Sequence, residues 1–171
     1  VGRKKGSLGY VHPSDTLGPI MMKMLERNNV ASEQVDQIVG GCINKLGAQG
    51  MNITRTAWLS HGGAEATPCI TIDSQCGSSQ EAVHLATSML RSGMADVMIA
   101  CGVENMTRLP IGSDAFGLPK AFGKPISRSY FDSYEFISQF EGAERICEKY
   151  QVTRKDTDAF GLQSQERAKV R

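Results

Sequence analysis

The chain has 171 residues, a formal net charge of +1, and basic and acidic side chains mixed along its length. This length fits one domain with a sizeable hydrophobic core, and the balanced charge argues against a nucleic-acid-binding protein. No apolar run approaches the roughly 18 residues of a membrane span. We therefore expect a small molecule or a second copy of the chain as the partner, with no nucleic acid and no membrane span.

The cysteines do not form a recognised metal or disulfide pattern. Their number is odd, their spacing is wide, and no Cys-X-X-Cys pair occurs. A zinc site and a disulfide framework are therefore not expected. This usage is typical of a reducing compartment, for which we expect the cytoplasm, with the mitochondrial matrix or the peroxisome as alternatives. Packing is the default role of four of them: Cys42, Cys69, Cys101 and Cys147.

The first part of the chain is predicted to form a helix, a strand and a second helix. His12–Asp15 offers N-cap chemistry for a helix with its apolar side chains on one face: Leu17, Ile20, Met21, Met24 and Leu25. The β-prone run 35–43 predicts a strand whose two glycines permit close approach of other backbone. Asn52 can cap the second helix, and His61 with two glycines ends it. His61 is therefore interpreted as a helix-end residue rather than a general base.

A strand, a tight turn and a helix surround Cys76. The β-prone run 68–73 leads into small residues, and apolar side chains then recur at helical spacing from Gly77 to Ser92, which predicts a largely buried helix. A cysteine at such a junction lies near free backbone N–H groups and the positive end of a helix dipole, and both favour a thiolate. A small buried hydrophobe is the alternative interpretation of the same position.

The rest of the chain is predicted to contain a strand, an irregular stretch and two helices, in the order 96–101, 107–133, 134–150 and 155–171. Thr153 can cap the last helix. The irregular stretch is long for a compact domain and suggests a functional loop or lid. The alternation of helices with short apolar strands predicts an α/β layered sheet, with Cys76 at the carboxyl end of a strand.

Four ordered motifs carry a family resemblance. The stretch 73–86, in which Cys-Gly-Ser-Ser opens the helix, is similar to the nucleophile segment of thiolases, and Cys101–Thr107 resembles their Gly-Gly-hydrophobic-Glu-Ser-Met-Ser motif. Gln49–Arg55 resembles the family's Gln-X-X-Asn-hydrophobic-X-Arg motif. Gln139–Ile146 resembles a motif in the substrate-covering loop domain of some members. The sequence thus resembles the amino-terminal portion of a 3-ketoacyl-CoA thiolase or acetyl-CoA acetyltransferase.

The resemblance implies a layered fold of the α/β/α/β/α type. Residues 1–106 would form the amino-terminal α/β domain with the nucleophile, and residues 107–171 the incomplete beginning of the substrate-covering loop domain. It further implies an acyltransferase that cleaves 3-ketoacyl-CoA by thiolysis, or runs the reverse Claisen condensation, through an acyl thioester on Cys76. Coenzyme A and acyl-CoA would be substrates, with no permanently bound cofactor and no metal. Gln139 and Phe140 are the implied substrate-binding residues.

The backbone N–H of Cys76 could act as an oxyanion donor, because a group at a helix start has no partner within the helix. The family takes a histidine, a second cysteine and an asparagine from a second half of its chain, and those motifs do not occur here. His84 lies roughly 12 Å along the helix axis from Cys76, too far to act as its base. We therefore expect this chain to be an amino-terminal portion that has no turnover on its own.

Two alternative functions remain open. Cys76–Ser79 also resembles the Cys-X-Ser-Ser helix start of ketosynthases, which share the condensing-enzyme fold, although Gln49–Arg55 and Glu104–Met106 favour a thiolase. A thiolase-like binding or assembly subunit without turnover is the non-enzyme alternative. Three positions depart from the family pattern and leave the acyl-chain length open: Ser79, Cys101 and Asn105.

The strand Cys69–Asp73 is short and apolar enough to pair with another edge, and proteins cover unpaired edges. Thiolases pair such strands across a two-fold axis. The resemblance therefore implies a homodimer or homotetramer, with this strand and the helix that starts at Asn52 near the subunit boundary.

Overall fold

The computed structural model describes residue 3 and residues 6–169. These residues fall into two compact units, the first ending at Gly123 and the second beginning at Lys124. The predicted division after residue 106 separates a catalytic part from a substrate-covering part. This division stays a prediction.

Within its described residues, the first unit contains four helices and three strands: α1 Pro13–Asn28, β1 Gln37–Gly41, α2 Ile53–Ser60, β2 Cys69–Ile72, α3 Ser78–Arg91, β3 Met98–Gly102 and α4 Ser113–Phe116. Single 3-10 turns occur at Ser32–Gln34, Gly47–Gln49 and Lys120–Phe122. The second unit contains α5 Tyr130–Ser133, α6 Gln139–Tyr150 and α7 Arg154–Lys169. The predicted irregular stretch 107–133 thus holds only single turns of helix.

The three strands form one parallel sheet in the order β2-β1-β3. The central strand β1 pairs Ile38 with Cys69 on one side and with Ile99 on the other. Parallel strands need crossover connections, and the helices between the strands supply them. The predicted alternation of helices and short strands is therefore confirmed, and β2 and β3 are the edge strands of this sheet.

Helices cover both faces of the sheet. A Cβ atom added to Gly40 would overlap Thr54 of α2, whereas one added to the next residue, Gly41, would lie 2.6 Å from the backbone of Ser78 in α3. Successive residues of a strand point to opposite faces, so α2 and α3 lie on opposite sides of β1. Helix α1 packs on α2, where a Cβ at Gly18 would overlap the ring of His61. The first unit is therefore a three-layer α/β/α arrangement, in agreement with the predicted fold class.

The main hydrophobic core lies between the sheet and the layer formed by α1 and α2. Its buried members include Leu17, Met21 and Leu25 of α1, Trp58 of α2 and Ile38 of β1. Buried side chains of this size each contribute roughly 1.5–3 kcal/mol by leaving water. Leu17, Met21 and Leu25 of the predicted apolar face of α1 are thus confirmed as core residues.

Two residues of the predicted α1 face are not in the core. Ile20 and Met24 are exposed and line an open cleft between α1 and β3. The reason is geometric, because the buried residues of α1 recur at i, i+4 and i+8, which places Ile20 about 100° from the centre of the buried stripe.

The prediction that the helix after Cys76 is largely buried is wrong for this chain. Only Ser78, Ala82 and Ala86 of α3 are buried, and Val83 and Leu90 are exposed. Helix α3 rests on β1 and β3 with one narrow face of small side chains. Among the described residues of the first unit, no further element packs extensively on its opposite face.

The helix predicted over 134–150 begins five residues later. Tyr134 is extended, and Ser138 caps α6 by accepting the N–H of Glu141 on its Oγ at 3.1 Å. Arg145 then donates to both carboxylate oxygens of Glu135 and to Glu141. The side-chain cap ends the extended segment, a boundary that apolar spacing alone does not mark.

Helix α7 begins close to the predicted position. Thr153 and Asp156 cap each other reciprocally, with the Thr153 N–H donating to Asp156 at 2.8 Å and the Asp156 N–H donating to the Thr153 hydroxyl at 3.3 Å. The predicted capping role of Thr153 is therefore confirmed. The last two residues of the predicted helix, 170 and 171, lie outside the described residues.

Gly41→Ala should destabilise the first unit by about 1–3 kcal/mol, because its Cβ would press on the α3 backbone, which cannot move independently of the sheet. The measurement is a urea unfolding curve followed by the fluorescence of Trp58, the single tryptophan, which is buried in this unit. Gly161→Ala in α7, where an added Cβ meets nothing within 4 Å, is the control and should leave the midpoint unchanged. Equal midpoints for both variants would contradict the close approach.

Candidate active site

Two overlapping tight turns connect β2 to α3. The N–H of Gly77 donates to the carbonyl of Ser74 at 3.1 Å, and the N–H of Ser78 donates to the carbonyl of Gln75 at 3.0 Å. Helix α3 begins at Ser78. The predicted strand, tight turn and helix around Cys76 are therefore confirmed.

Gln75, the residue before Cys76, has a left-handed backbone conformation with φ of +50°. This region is uncommon for residues with a Cβ atom and costs about 1 kcal/mol or more. Neighbouring side chains hold the residue there. Its N–H donates to Asp73 Oδ1 at 2.8 Å, and its carbonyl accepts from Ser78 Oγ at 2.5 Å. Ser78 Oγ also accepts the N–H of Ser74 at 3.0 Å, so the turn is fixed on both sides of Gln75.

The side chain of Cys76 is exposed. Its backbone N–H has no hydrogen-bond partner in the part of the chain that the structure describes, as an oxyanion donor requires. The prediction that Cys76 opens the helix needs a correction of one residue, since Gly77 is the N-cap and Cys76 precedes it. The helix dipole weakens rapidly beyond the first turn, so local backbone groups dominate around Cys76.

The first turn of α3 lies directly on the carboxyl ends of β1 and β3. A Cβ at Gly102 would overlap the hydroxyl of Ser79 and approach the carbonyl of Gly41 to 2.9 Å. Only glycine fits at these two strand ends. The glycines therefore bring the turn that carries Cys76 to the carboxyl edge of the parallel sheet, where ligands of α/β sheets bind.

Three of the other four cysteines are held in the thiol form. Burial raises the pKa of Cys42 to about 12, with the Glu104 carboxylate adding to the shift. Burial also raises the pKa of Cys101 to about 12, and it raises that of Cys69. Because thiolates are the nucleophilic form of cysteine, these three residues are unreactive near neutral pH. Cys147 lies half-buried in α6 of the second unit.

Each histidine is engaged in a local contact. His12 caps α1 by accepting the Ser14 N–H on Nδ1 at 3.2 Å. His61 ends α2, as predicted, and its Nδ1 lies 3.1 Å from the Ala57 carbonyl. His84 is exposed on α3, with Nδ1 3.2 Å from Glu81. The expectation that no histidine of this chain has a catalytic role stays a prediction.

Two of the sequence motifs meet at Gln49, which is fully buried. Its Nε2 donates to Glu104 Oε1 at 2.6 Å and to the Asn44 carbonyl at 2.9 Å, while its Oε1 accepts the N–H of Asn105 at 2.6 Å. The other oxygen of Glu104 accepts the N–H of Ile43 at 2.9 Å. These bonds tie the loop after β1 to the loop after β3. We call this group the Gln49–Glu104 clamp.

The remaining motif residues of α2 also have structural partners. Asn52 caps α2 through Arg55 N–H at 3.1 Å, accepts the hydroxyl of Thr71 at 2.7 Å and donates to the carbonyl of Cys69 at 2.7 Å. Arg55 donates to the carbonyls of Glu65 and Thr67. The motif Gln49–Arg55 therefore anchors α2 to β2 and to the loop before β2.

Gln139 and Phe140, the predicted substrate-binding residues, form the first turn of α6 in the second unit. Both are exposed, and Phe140 is 84 % exposed. A side chain of this size in water is available for contact with a ligand. Their substrate-binding role stays a prediction.

Within residue 3 and residues 6–169, no helix combines the length and the apolar character that crossing a bilayer requires. In the same residues, no group of three or more His, Cys, Asp or Glu side chains is arranged to hold a metal ion.

Comparison with known proteins decides the family. The family model described as the thiolase N-terminal domain matches residues 1–170. The chain belongs to the thiolase family. The predicted membership of an amino-terminal thiolase portion is thereby confirmed, and the α/β/α unit that carries Cys76 is its thiolase N-terminal fold.

Several curated thiolases are similar over 98% of this chain. The steroid 3-ketoacyl-CoA thiolase FadA6 of Mycobacterium tuberculosis is 38% identical, and the chain covers 42% of it. The beta-ketoadipyl-CoA thiolase of Pseudomonas putida is 32% identical, with 45% covered. The acetyl-CoA acetyltransferase of Chromobacterium violaceum is 34% identical, with 44% covered. The chain therefore spans less than half the length of these relatives.

Sequence reasoning missed two contributors to the thiolase turn. The sequence pattern marks Ser78 only as a small residue at the start of a helix, although its hydroxyl binds the Ser74 N–H and the Gln75 carbonyl. Lys45 was not singled out, although its Nζ lies 3.2 Å from Asp73 Oδ2. The Asp-X-Gln-X-X-Ser spacing could have indicated an Asp-and-Ser-braced turn. Nothing local could have indicated Lys45, which is 28 residues away.

Replacing Gln49 by methionine should destabilise this thiolase domain by about 1–3 kcal/mol, because it removes the partners of the half-buried Asn105 N–H and of one oxygen of the half-buried Glu104 carboxylate. Gln80→Met on the exposed side of α3 is the matched control and should stay within about 0.5 kcal/mol of the wild type. Urea unfolding followed by Trp58 fluorescence provides the measurement. Equal free energies of unfolding for the two variants would show that the Gln49–Glu104 clamp does not stabilise the domain.

Proposed function

We propose that this chain is the nucleophile-bearing portion of an acyltransferase that cleaves 3-ketoacyl-CoA by thiolysis or runs the reverse Claisen condensation. The observation that carries the proposal is the position of Cys76. It is an exposed thiol on a braced turn at the carboxyl edge of a parallel sheet, in a chain of the thiolase family. Three of the four other cysteines are kept as thiols by burial.

In the proposed reaction the Cys76 thiolate attacks the keto carbon of a 3-ketoacyl-CoA. The carbon–carbon bond to the α-carbon then breaks, acyl-Cys76 forms, and the released carbanion equivalent takes up a proton to give acetyl-CoA. Coenzyme A attacks the thioester and regenerates the thiol. The Cys76 N–H has no partner in the described part of the chain, and this supports its role as a donor to the oxyanion of the tetrahedral intermediate.

The proposed substrates are acyl-CoA and free coenzyme A, with no permanently bound cofactor. The relatives include steroid 3-ketoacyl-CoA, beta-ketoadipyl-CoA and acetyl-CoA enzymes by name, so the proposal extends to the 3-ketoacyl-CoA class and not to one acyl group. Gln139 and Phe140 are proposed to contact the substrate, because both are exposed in a motif of the family's loop domain. A reducing compartment, the cytoplasm in a bacterium, suits the five free cysteines.

The alternatives differ in what happens at Cys76. A ketosynthase-type condensing enzyme would form the same thioester but would decarboxylate a malonyl donor instead of transferring to coenzyme A. A non-catalytic thiolase-like subunit would form no thioester. The family match and the relatives' names favour the thiolase reaction over both. Lack of turnover by the 171-residue chain alone stays a prediction.

Incubation of the complete polypeptide that carries this sequence with acetoacetyl-CoA should place an acetyl group on Cys76, read by peptide mass spectrometry. Cys76→Ala should abolish the adduct and lower thiolysis by about 10³-fold or more. Cys147→Ala is the matched control and should retain both. An adduct confined to another cysteine would overturn the assignment of Cys76, and wild-type protein without any adduct would favour the non-catalytic alternative.

We also propose that the working enzyme is a homodimer or homotetramer that pairs β2 with its copy. Strand β2 is an edge strand with Ile70 exposed, and a second copy would cover that edge. Sedimentation velocity from micromolar to nanomolar concentration should show an oligomer that Ile72→Lys dissociates. Met94→Lys, in the loop between α3 and β3, is the control and should leave it intact. A wild-type monomer at every concentration would exclude the proposal.

A further inference from the structure

Asp73 connects the turn that carries Cys76 to a different part of the sheet. Its Oδ1 accepts the N–H of Gln75 at 2.8 Å, and its Oδ2 lies 3.2 Å from Lys45 Nζ. Lys45 belongs to the loop after β1, and its ammonium also donates to the carbonyls of Cys42 and Ile43, each at 3.4 Å. A single ammonium group therefore joins the end of β1 to the turn after β2.

The bond to Gln75 matters because that residue is left-handed. A residue with a Cβ atom keeps φ near +50° only when its surroundings over-determine it. Asp73 holds the Gln75 N–H, and Ser78 holds its carbonyl. If the N–H were released, the peptide could rotate toward the ordinary right-handed region, and Cys76 would leave its position at the edge of the sheet.

The pair is placed to remain ordered. The side chains of Asp73 and Lys45 are 28% and 34% exposed, so both are partly shielded from water. Shielding strengthens an ion pair relative to a fully exposed pair.

We propose that Asp73, held by Lys45, is a positioning residue for Cys76. Asp73 fixes the left-handed peptide at Gln75 through Oδ1, and Lys45 fixes Asp73 through Oδ2. Neither residue takes part in the bond-making steps. The catalytic meaning of the pair rests on the proposed function of Cys76, whereas its effect on the turn is a property of the fold.

The experiment compares four variants with the wild type, in the complete polypeptide that carries this sequence: Asp73→Ala, Asp73→Asn, Lys45→Met and Lys23→Met. The measurement is the rate at which iodoacetamide alkylates Cys76, resolved by peptide mapping, with alkylation of Cys147 as the internal reference. Lys23 forms an exposed pair with Glu26 on α1 at 2.8 Å, so Lys23→Met controls for loss of a surface lysine.

Asp73→Ala should slow alkylation of Cys76 by about 10-fold, the loss expected for one hydrogen bond to a charged group. Asp73→Asn keeps an oxygen that can accept from Gln75 and should recover most of the wild-type rate. Lys45→Met should slow the reaction by roughly 3-fold, in the range of a partly shielded ion pair. Lys23→Met should have no effect.

A merely structural role would lower the unfolding midpoint of the alanine variant but leave the alkylation rate of Cys76, relative to that of Cys147, unchanged. Asp73→Ala that reacts as fast as the wild type, or Asp73→Asn that is as slow as Asp73→Ala, would overturn the role of Asp73. An unchanged rate in Lys45→Met would overturn the pairing.

Acetylation of Cys76 by acetoacetyl-CoA separates this inference from the proposed function. If the wild type forms no thioester but the alkylation rates follow the predicted order, the proposed function fails and the positioning pair stands. If the thioester forms at equal rates in the wild type and Asp73→Ala and alkylation is also unchanged, the pair fails and the proposed function stands.

Discussion

The structure depends on the contact between the first turn of α3 and the ends of two strands. Gly41 and Gly102 face Ser78 and Ser79 so closely that neither strand end has room for a Cβ atom. The contact brings the amino end of a helix against the carboxyl edge of the sheet. The turn that connects β2 to α3 therefore projects from the carboxyl edge of the sheet. Cys76 is exposed because of where the helix rests, and its own side chain contributes nothing to this placement.

A second constraint keeps the same edge rigid. The Gln49–Glu104 clamp joins the loop after β1 to the loop after β3 through a fully buried amide and a carboxylate that accepts two N–H groups. A fully buried amide and a half-buried carboxylate are costly unless their polar atoms are paired, so these hydrogen bonds favour order in both loops together. The ends of β1 and β3 are therefore held in two ways. The hydrogen bonds of the Gln49–Glu104 clamp fix the loops that follow them, and α3 packs closely on their glycines.

Much of the first unit could be predicted from the sequence, because its signals are local. Asn52 is a cap that acts on Arg55, three positions away, and each strand coincides with a short β-prone run in the sequence. The burial of α3 was predicted wrongly. Apolar residues at helical spacing show that a helix face favours burial, but they do not show that another element packs on that face. The start of α6 was predicted too early because the apolar run before Ser138 continues the helical spacing, whereas Ser138 caps the helix and sets its start. The Lys45–Asp73 pair was missed because only the parallel register brings the ends of β1 and β2 together.

Two cysteines near the carboxyl ends of neighbouring strands show how the fold separates reactive from inert thiols. Cys42 directly follows β1, and Cys76 follows β2 by four residues. Cys42 is buried beside the Glu104 carboxylate, and both effects raise its pKa, to about 12. Asp73, in the turn that carries Cys76, accepts the Gln75 N–H and pairs with Lys45. The two thiols therefore differ in burial, since Cys42 is buried and Cys76 is exposed. Reactivity at this edge is set by the packing of the loops after β1 and β2, which is why a list of cysteine positions does not identify the nucleophile.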